Sequence, residues 1–270
     1  MIQSDQFQAT WWGQLDLNYE QTAQWVIGPL KLAVQRLPNE WQVAYEPDEL
    51  IDLEATEWQQ TTVALDISAL NYANTERYVV GQTSKNLRIR PTLADRPIIT
   101  RPFTPLYVPA GEQTVIFVSS PLWVSVEVGD LPKILQEIPI QRPSDTWFGP
   151  STMEGELCYA SRTYGRLHLD NIPVRSHRAI TQVTIRNRAT SQLLVERLSL
   201  PVPYLSIFET SEGLLWTQAV KMMRTRDTGM ATLDVEAGPP KEAGEVKLIC
   251  GPRQPPDQNM VIRAFGALFR

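Results

Sequence analysis

The stretch RPSDTWFGPSTMEGELCYASRTYGRLHL, residues 142–169, concentrates side chains that could do chemistry. Asp145, Trp147, Glu154, Glu156, Cys158, Arg162, Arg166 and His168 lie there among glycines and prolines. If residues 155–163 are extended, Glu156, Cys158, Ala160 and Arg162 share one face and Leu157, Tyr159, Ser161 and Thr163 the other, because side chains alternate along a strand. Two readings follow. In one, Glu154 or Glu156 is a general acid or base and Arg162 binds an anionic substrate, since a guanidinium makes paired hydrogen bonds to carboxylate or phosphate. Convergence of Arg162 with Arg166 would favour an anion, and exposed aromatics beside the two acids a sugar. In the other, the charges form structural hydrogen bonds, and Trp147 and Phe148 plug the junction between two halves of the chain. The second is favoured, because no spacing fixes an acid pair at a separation that would define glycoside chemistry.

Other constellations are thinner. His168 and His177 are the only histidines, and neither HExxH nor CxxC occurs, so no metal is expected. Cys158 and His168 could in principle be nucleophile and base, but a buried, inert thiol is the commoner fate of such a cysteine. The phosphate-cradling and nucleophile-elbow patterns GxxxxGK[ST], GxGxxG and GxSxG are missing, and no cofactor is expected. Cys158 and Cys250 are expected to be reduced and unbridged in a chain too long to need a staple.

The elements that must position these residues read as strands. The 270 residues include 43% hydrophobic and 20% charged side chains, enough apolar area for a core. The 21 prolines are dispersed between apolar runs, which suits short strands and disfavours long helices. Leu30, Leu32 and Val34 alternate with Lys31, Ala33 and Gln35; Pro38 and Asn39 supply a turn; Trp41, Val43 and Tyr45 resume the period, so a half-buried hairpin is predicted. The acidic run 46–57, with six acids and no base, reads as a loop or short helix without calcium-loop spacing. Strands are predicted over 115–118 and 122–128, with Leu122, Val124, Val126 and Val128 on one face. A second hairpin is predicted in which residues 187–191 turn the chain and 194–200 run back, carrying Glu196 and Arg197 mid-strand. Further strands are expected at 214–223, 230–235, 245–250 and 260–269. Of Trp11 and Trp12, at most one can face the core of a one-sided sheet.

The expected fold is therefore mostly β, with two packed, immunoglobulin-like β-sandwich halves and few short helices. The boundaries are placed at 1–141 for the first half, 142–163 for an ordered junction and 164–270 for the second half. The net charge of −5 divides into −8 over residues 1–150 and +3 over 151–270. That balance argues against general nucleic-acid binding. No secretory signal and no membrane-inserting run is read, so a soluble cytoplasmic protein is expected. Oligomeric state is not legible.

WVIGPLKLAV at 25–34, PLWVSVEV at 121–128, RPSDTWFGP at 142–150 and GELCYASRT at 155–163 are the motifs that carry a resemblance. The chain resembles an uncharacterised prokaryotic family that bears only a domain-of-unknown-function label, with members often encoded near small-conductance mechanosensitive channels. The resemblance covers nearly the whole chain and assigns chemistry to no residue. It implies a cytoplasmic partner or regulator of a membrane system. Strand patterning without a catalytic motif favours a non-enzymatic protein-interaction or regulatory module. An enzyme or binding protein for a sugar or anionic small molecule at residues 142–168 is the alternative.

Overall fold

The structure is a computed structural model that describes residues 10–47, 57–256 and 260–266. The fold is mostly β: strands supply nearly all of its regular structure, and the helical elements among the described residues are short 3-10 turns. Two compact units emerge, each gathering segments distant in sequence. Among the described residues, one draws on 10–47, 57–92, 122–142 and 175–177, the other on 93–121, 143–174, 178–256 and 260–266.

The first unit holds two antiparallel sheets. Five strands run in the order Trp58–Val63, Thr22–Ile27, Leu30–Arg36, Glu40–Pro47 and Asn74–Val79. The predicted hairpin is present, with Arg36 opposite Trp41 and the amide of Leu37 bonded to the carbonyl of Glu40. Gly28 closes the preceding turn at φ +52°, a conformation that favours glycine, and a Cβ there would stand 2.8 Å from the His177 imidazole.

The hairpin is more deeply covered than an amphipathic pattern implies. Leu30, Leu32 and Val34 are buried, and so are Ala33 and Gln35 on the other face. A 3-10 turn, Ile67–Leu70, lies over that face, with Ala33, Ala44 and Ile67 in one apolar cluster. The Gln35 amide is satisfied at both ends: Nε2 donates to the Leu65 carbonyl at 3.0 Å, and Oε1 accepts from the Ile67 amide at 3.2 Å.

The second sheet of this unit has four strands, Gly13–Asp16, Asn86–Thr92, Trp123–Val128 and Lys133–Pro139. Leu122, Val124, Val126 and Val128, predicted to share one face, are buried, yet Ser125 and Glu127 on the alternate face are buried too. Glu127 is tolerated because Arg90 pairs with it at 2.5 Å and Ser125 donates to it at 3.1 Å. Of the tandem tryptophans, Trp11 is the core residue, its Nε1 donating to the Ser176 carbonyl at 2.8 Å, and Trp12 meets its ring edge-on. The acidic run 46–57 lies mostly outside the described residues, as do 267–269 of the last predicted strand.

The second unit holds an eight-stranded mixed sheet. Gln113–Pro121 pairs with Arg178–Asn187 along nine residues, and Arg178–Asn187 is also flanked by Leu215–Thr217 and Val220–Arg224, both parallel to it. Ile207–Thr210, Val246–Cys250, Met230–Val235 and Met260–Arg263 complete the sheet. The expected hairpin at 187–191 does not form. Leu193–Val195 leaves to pair with Leu106–Val108, and Arg197–Leu200 enters a five-stranded sheet. Asn187 explains the departure: its Nδ2 donates to the carbonyls of Val108, Pro109 and Ser191, tying this corner to a different strand.

A boundary at residue 141 assigns Gln113–Pro121 to the first half, whereas pairing with Arg178–Asn187 places it in the second unit. Residues 143–174 likewise fall within the second unit. Their five-stranded sheet runs Asp145–Phe148, Glu156–Gly165, Ile98–Pro102, Arg197–Leu200 and Phe265–Gly266.

Alternation along Asp145–Phe148 decides which aromatic is core. Phe148 is 1% exposed, in a cluster with Ile99 and Cys158, whereas Trp147 is 39% exposed. Trp147 is therefore not the plug expected from the sequence. Its indole lies over Gly155 and donates to the Ser151 carbonyl at 2.8 Å. Phe148→Ala should lower the unfolding free energy by ~3–5 kcal/mol, and Trp147→Ala by under ~2 kcal/mol, as measured by urea denaturation. The opposite ranking would show that Trp147 carries the packing.

Candidate functional site

The loop between Asp145–Phe148 and Glu156–Gly165 is closed by two glycines. A Cβ on Gly149 would run into the Glu154 carbonyl, and one on Gly155 would stand 2.8 Å from the Trp147 ring. Pairing Phe148 with Glu156 and Trp147 with Leu157 requires this close backbone approach.

The candidates named from the sequence do not converge. Asp145 pairs with Arg96 at 3.2 Å; Arg96 also lies over the Tyr159 ring, and the Tyr159 hydroxyl donates to Asp95 at 2.9 Å, a structural network. Glu154 is exposed, and its backbone amide is held by the Ser151 hydroxyl. Glu156 is half-buried. Arg162 does not continue its face: in the ladder with Ile98–Pro102, Ala160 opposes Ile99 and Tyr164 opposes Arg101, so residues 161–163 face Thr100 alone and form a bulge. Arg162 is exposed within it. Arg166 lies 4.1 Å over the Phe103 ring. His168 is exposed at the head of the turn Leu169–Asn171.

The Cys158–His168 pair is likewise not assembled. Cys158 is fully buried against Ile99 and Phe148, and burial, reinforced by the Glu156 carboxylate, pushes its thiol up to about 12. A thiol so rarely ionised near neutral pH is a poor nucleophile. Among the described residues, no three His, Cys, Asp or Glu side chains gather as metal ligands.

Two recesses flank the segment within this unit. One, of about 440 Å³, is lined by Asp95, Arg96, Glu156, Tyr204, Gln254 and Arg263 among others. The other, a cleft of about 580 Å³, is lined by Phe148, Gly149 and Pro150 from the segment and by Glu196, Arg197, Arg224 and Arg263 from three other strands or their ends. Arg197 is the most constrained of these cations. It is 8% exposed, lies 5.2 Å over the Phe148 ring, and donates through Nη2 to the Trp147 carbonyl at 3.1 Å. Burial and the neighbouring Arg101 both lower its pKa, although a guanidinium stays charged.

A family model for a protein of unknown function, DUF432, matches residues 11–270. The chain belongs to the DUF432 family. No curated protein and no solved structure matches it. Membership spans both compact units and brings no assigned activity with it, so the site rests on geometry. Arg197, Arg224 and Arg263 are not among the candidates the sequence pointed to. The one available signal was the charged pair Glu196–Arg197 inside an otherwise apolar run.

Burial raises the Glu156 pKa more than Arg263 lowers it. A carboxyl raised in the folded state favours folding when protonated, so this contribution is full below the ordinary carboxylate range and lost as pH rises through the raised value. Glu156→Gln should therefore raise the melting temperature at pH 7–8, with the difference vanishing below about pH 4. A lower melting temperature at neutral pH would show that attraction to Arg263 dominates. Cys158 and Cys250 are both buried and no disulfide joins them, so a thiol reagent should titrate two groups in denaturant and react slowly with the native protein. A bridge found by mass would overturn the expectation of two reduced thiols.

Proposed function

We propose that the chain is a non-catalytic interaction or regulatory module of the cytoplasm, docking a protein partner through the surface around Phe103, Tyr164 and Arg166. The observation that carries this reading is an exposed, ordered aromatic pair. Phe103 is 63% exposed and Tyr164 50%, yet their rings meet edge-to-face at 5.8 Å and the Arg166 guanidinium covers Phe103 at 4.1 Å. Aromatics and arginine are enriched at protein interfaces, where their large rigid area supplies most of the binding energy.

The backbone beneath them is paired. Phe103 donates to the Gly165 carbonyl at 2.9 Å, and Arg166 exchanges hydrogen bonds with Phe117 in both directions. A surface held this way loses little entropy on docking. No helix among the described residues is long and apolar enough to cross a membrane. The family resemblance points to a component of a membrane channel system as the partner, and the inert Cys158 thiol supports a binding role over covalent catalysis.

Affinity capture from detergent-solubilised cells, followed by mass spectrometry, tests the reading. A partner retained by the wild type should be lost from Phe103→Ala and Tyr164→Ala variants whose melting temperatures are unchanged within about 3 °C. Retention by both variants would sink this docking surface.

A further inference from the structure

We propose that the cleft bounded by Arg197, Arg224, Arg263, Phe148 and Gly266 is a binding site for the phosphoryl group of a small soluble ligand. The first support is an uncompensated buried cation. Among the described residues Arg197 has no carboxylate at ion-pair distance, its Nε finds no hydrogen-bond partner, and the side chain is more than nine-tenths buried while lining the cleft. Removing a charge from water without a counter-charge is costly, and an entering anion offsets that cost.

The second support is the charge and origin of the walls. Arg197 begins the strand Arg197–Leu200, Arg224 ends Val220–Arg224, and Arg263 ends Met260–Arg263, so three guanidiniums reach the cleft from three strands against one lining carboxylate, Glu196. A lone carboxylate needs one such fork. A tetrahedral phosphoryl group offers oxygens in several directions and is matched by cations arriving from several sides.

The cations differ in role. Arg224 spends its donors on Thr228, Asn187 and Ser191 and pairs with Asp227 at 3.4 Å, so it is a fixed part of the wall whose charge is already partly offset. Arg197 and Arg263 have donors to offer. Glycines are among the lining residues: a Cβ on Gly266 would stand 2.9 Å from the Phe148 ring, and one on Gly229 would collide with the Phe265 carbonyl. A volume of about 580 Å³ lies within the range of small-molecule sites.

The test is isothermal calorimetry on the full chain with sodium pyrophosphate, against sodium chloride at matched ionic strength. Pyrophosphate should bind saturably and chloride should not. Arg263→Gln and Arg197→Ala should each weaken binding about ten- to a hundredfold, the range of one hydrogen bond to a charged group. The bulge variant Arg162→Ala should bind as the wild type does. If Arg197→Ala fails to fold, Arg263→Gln alone decides. No pyrophosphate heat beyond that of chloride, unchanged affinity in Arg263→Gln, or saturable binding of citrate in place of pyrophosphate would overturn the assignment. The aromatic docking surface uses none of these residues, so either reading can fail alone.

Discussion

The second unit depends on satisfying both edges of one buried strand. Arg178–Asn187 is paired antiparallel to Gln113–Pro121 along one edge and parallel to Leu215–Thr217 and Val220–Arg224 along the other. An unpaired backbone amide or carbonyl in such a place would cost about as much as a lost hydrogen bond. Its neighbours are therefore obligatory, although they come from segments far apart in sequence. The strand's last residue extends the constraint. The Asn187 amide, fully buried, binds the carbonyls of Val108, Pro109 and Ser191 and accepts from Arg224, so it sets the corner at which the chain leaves for another sheet.

That corner also orients the arginine cleft. Arg224 is immobilised by Asn187 and the 191 loop, and the strand Arg197–Leu200 begins just beyond it, paired to Gly266 and Phe265. Across the cleft, the tight 149–155 loop turns Phe148 inward beneath the Arg197 guanidinium. The glycines at 149, 155 and 266 and the buried phenylalanine thus serve one end: they let backbone and ring approach closely enough to hold a cation away from water. A buried cation is poor evidence of stability. Its retention at the wall of an open cleft is more readily understood through what it would bind.

The outward face of the same unit shows the converse arrangement. Phe103, Tyr164 and Arg166 keep a fixed geometry while exposed, because the backbone pairing of Phe103 with Gly165 and of Arg166 with Phe117 holds them. The bulge at 161–163 separates this surface from Glu156 and Cys158 and breaks the alternation that would have joined them on one face.

Local pattern alone determined the strand content, the hairpin through Pro38 and Asn39, and the buried row Leu122, Val124, Val126 and Val128, because side-chain period and turn chemistry are properties of neighbouring residues. Dispersed prolines likewise ruled out long helices. What only the tertiary structure decided was partnership. Gln113–Pro121 joins a strand some seventy residues away, Ala33 and Gln35 are covered by a turn some thirty residues on, and Phe148 rather than Trp147 is buried. The cleft is the sharpest case. Arg197, Arg224 and Arg263 sit in three strands with no fixed spacing, and the residues crowded into 142–169 are spread by a loop and a bulge onto different surfaces. Sequence proximity measures distance along the chain, whereas a binding site is built from side chains that hydrogen-bonded strands bring together across it.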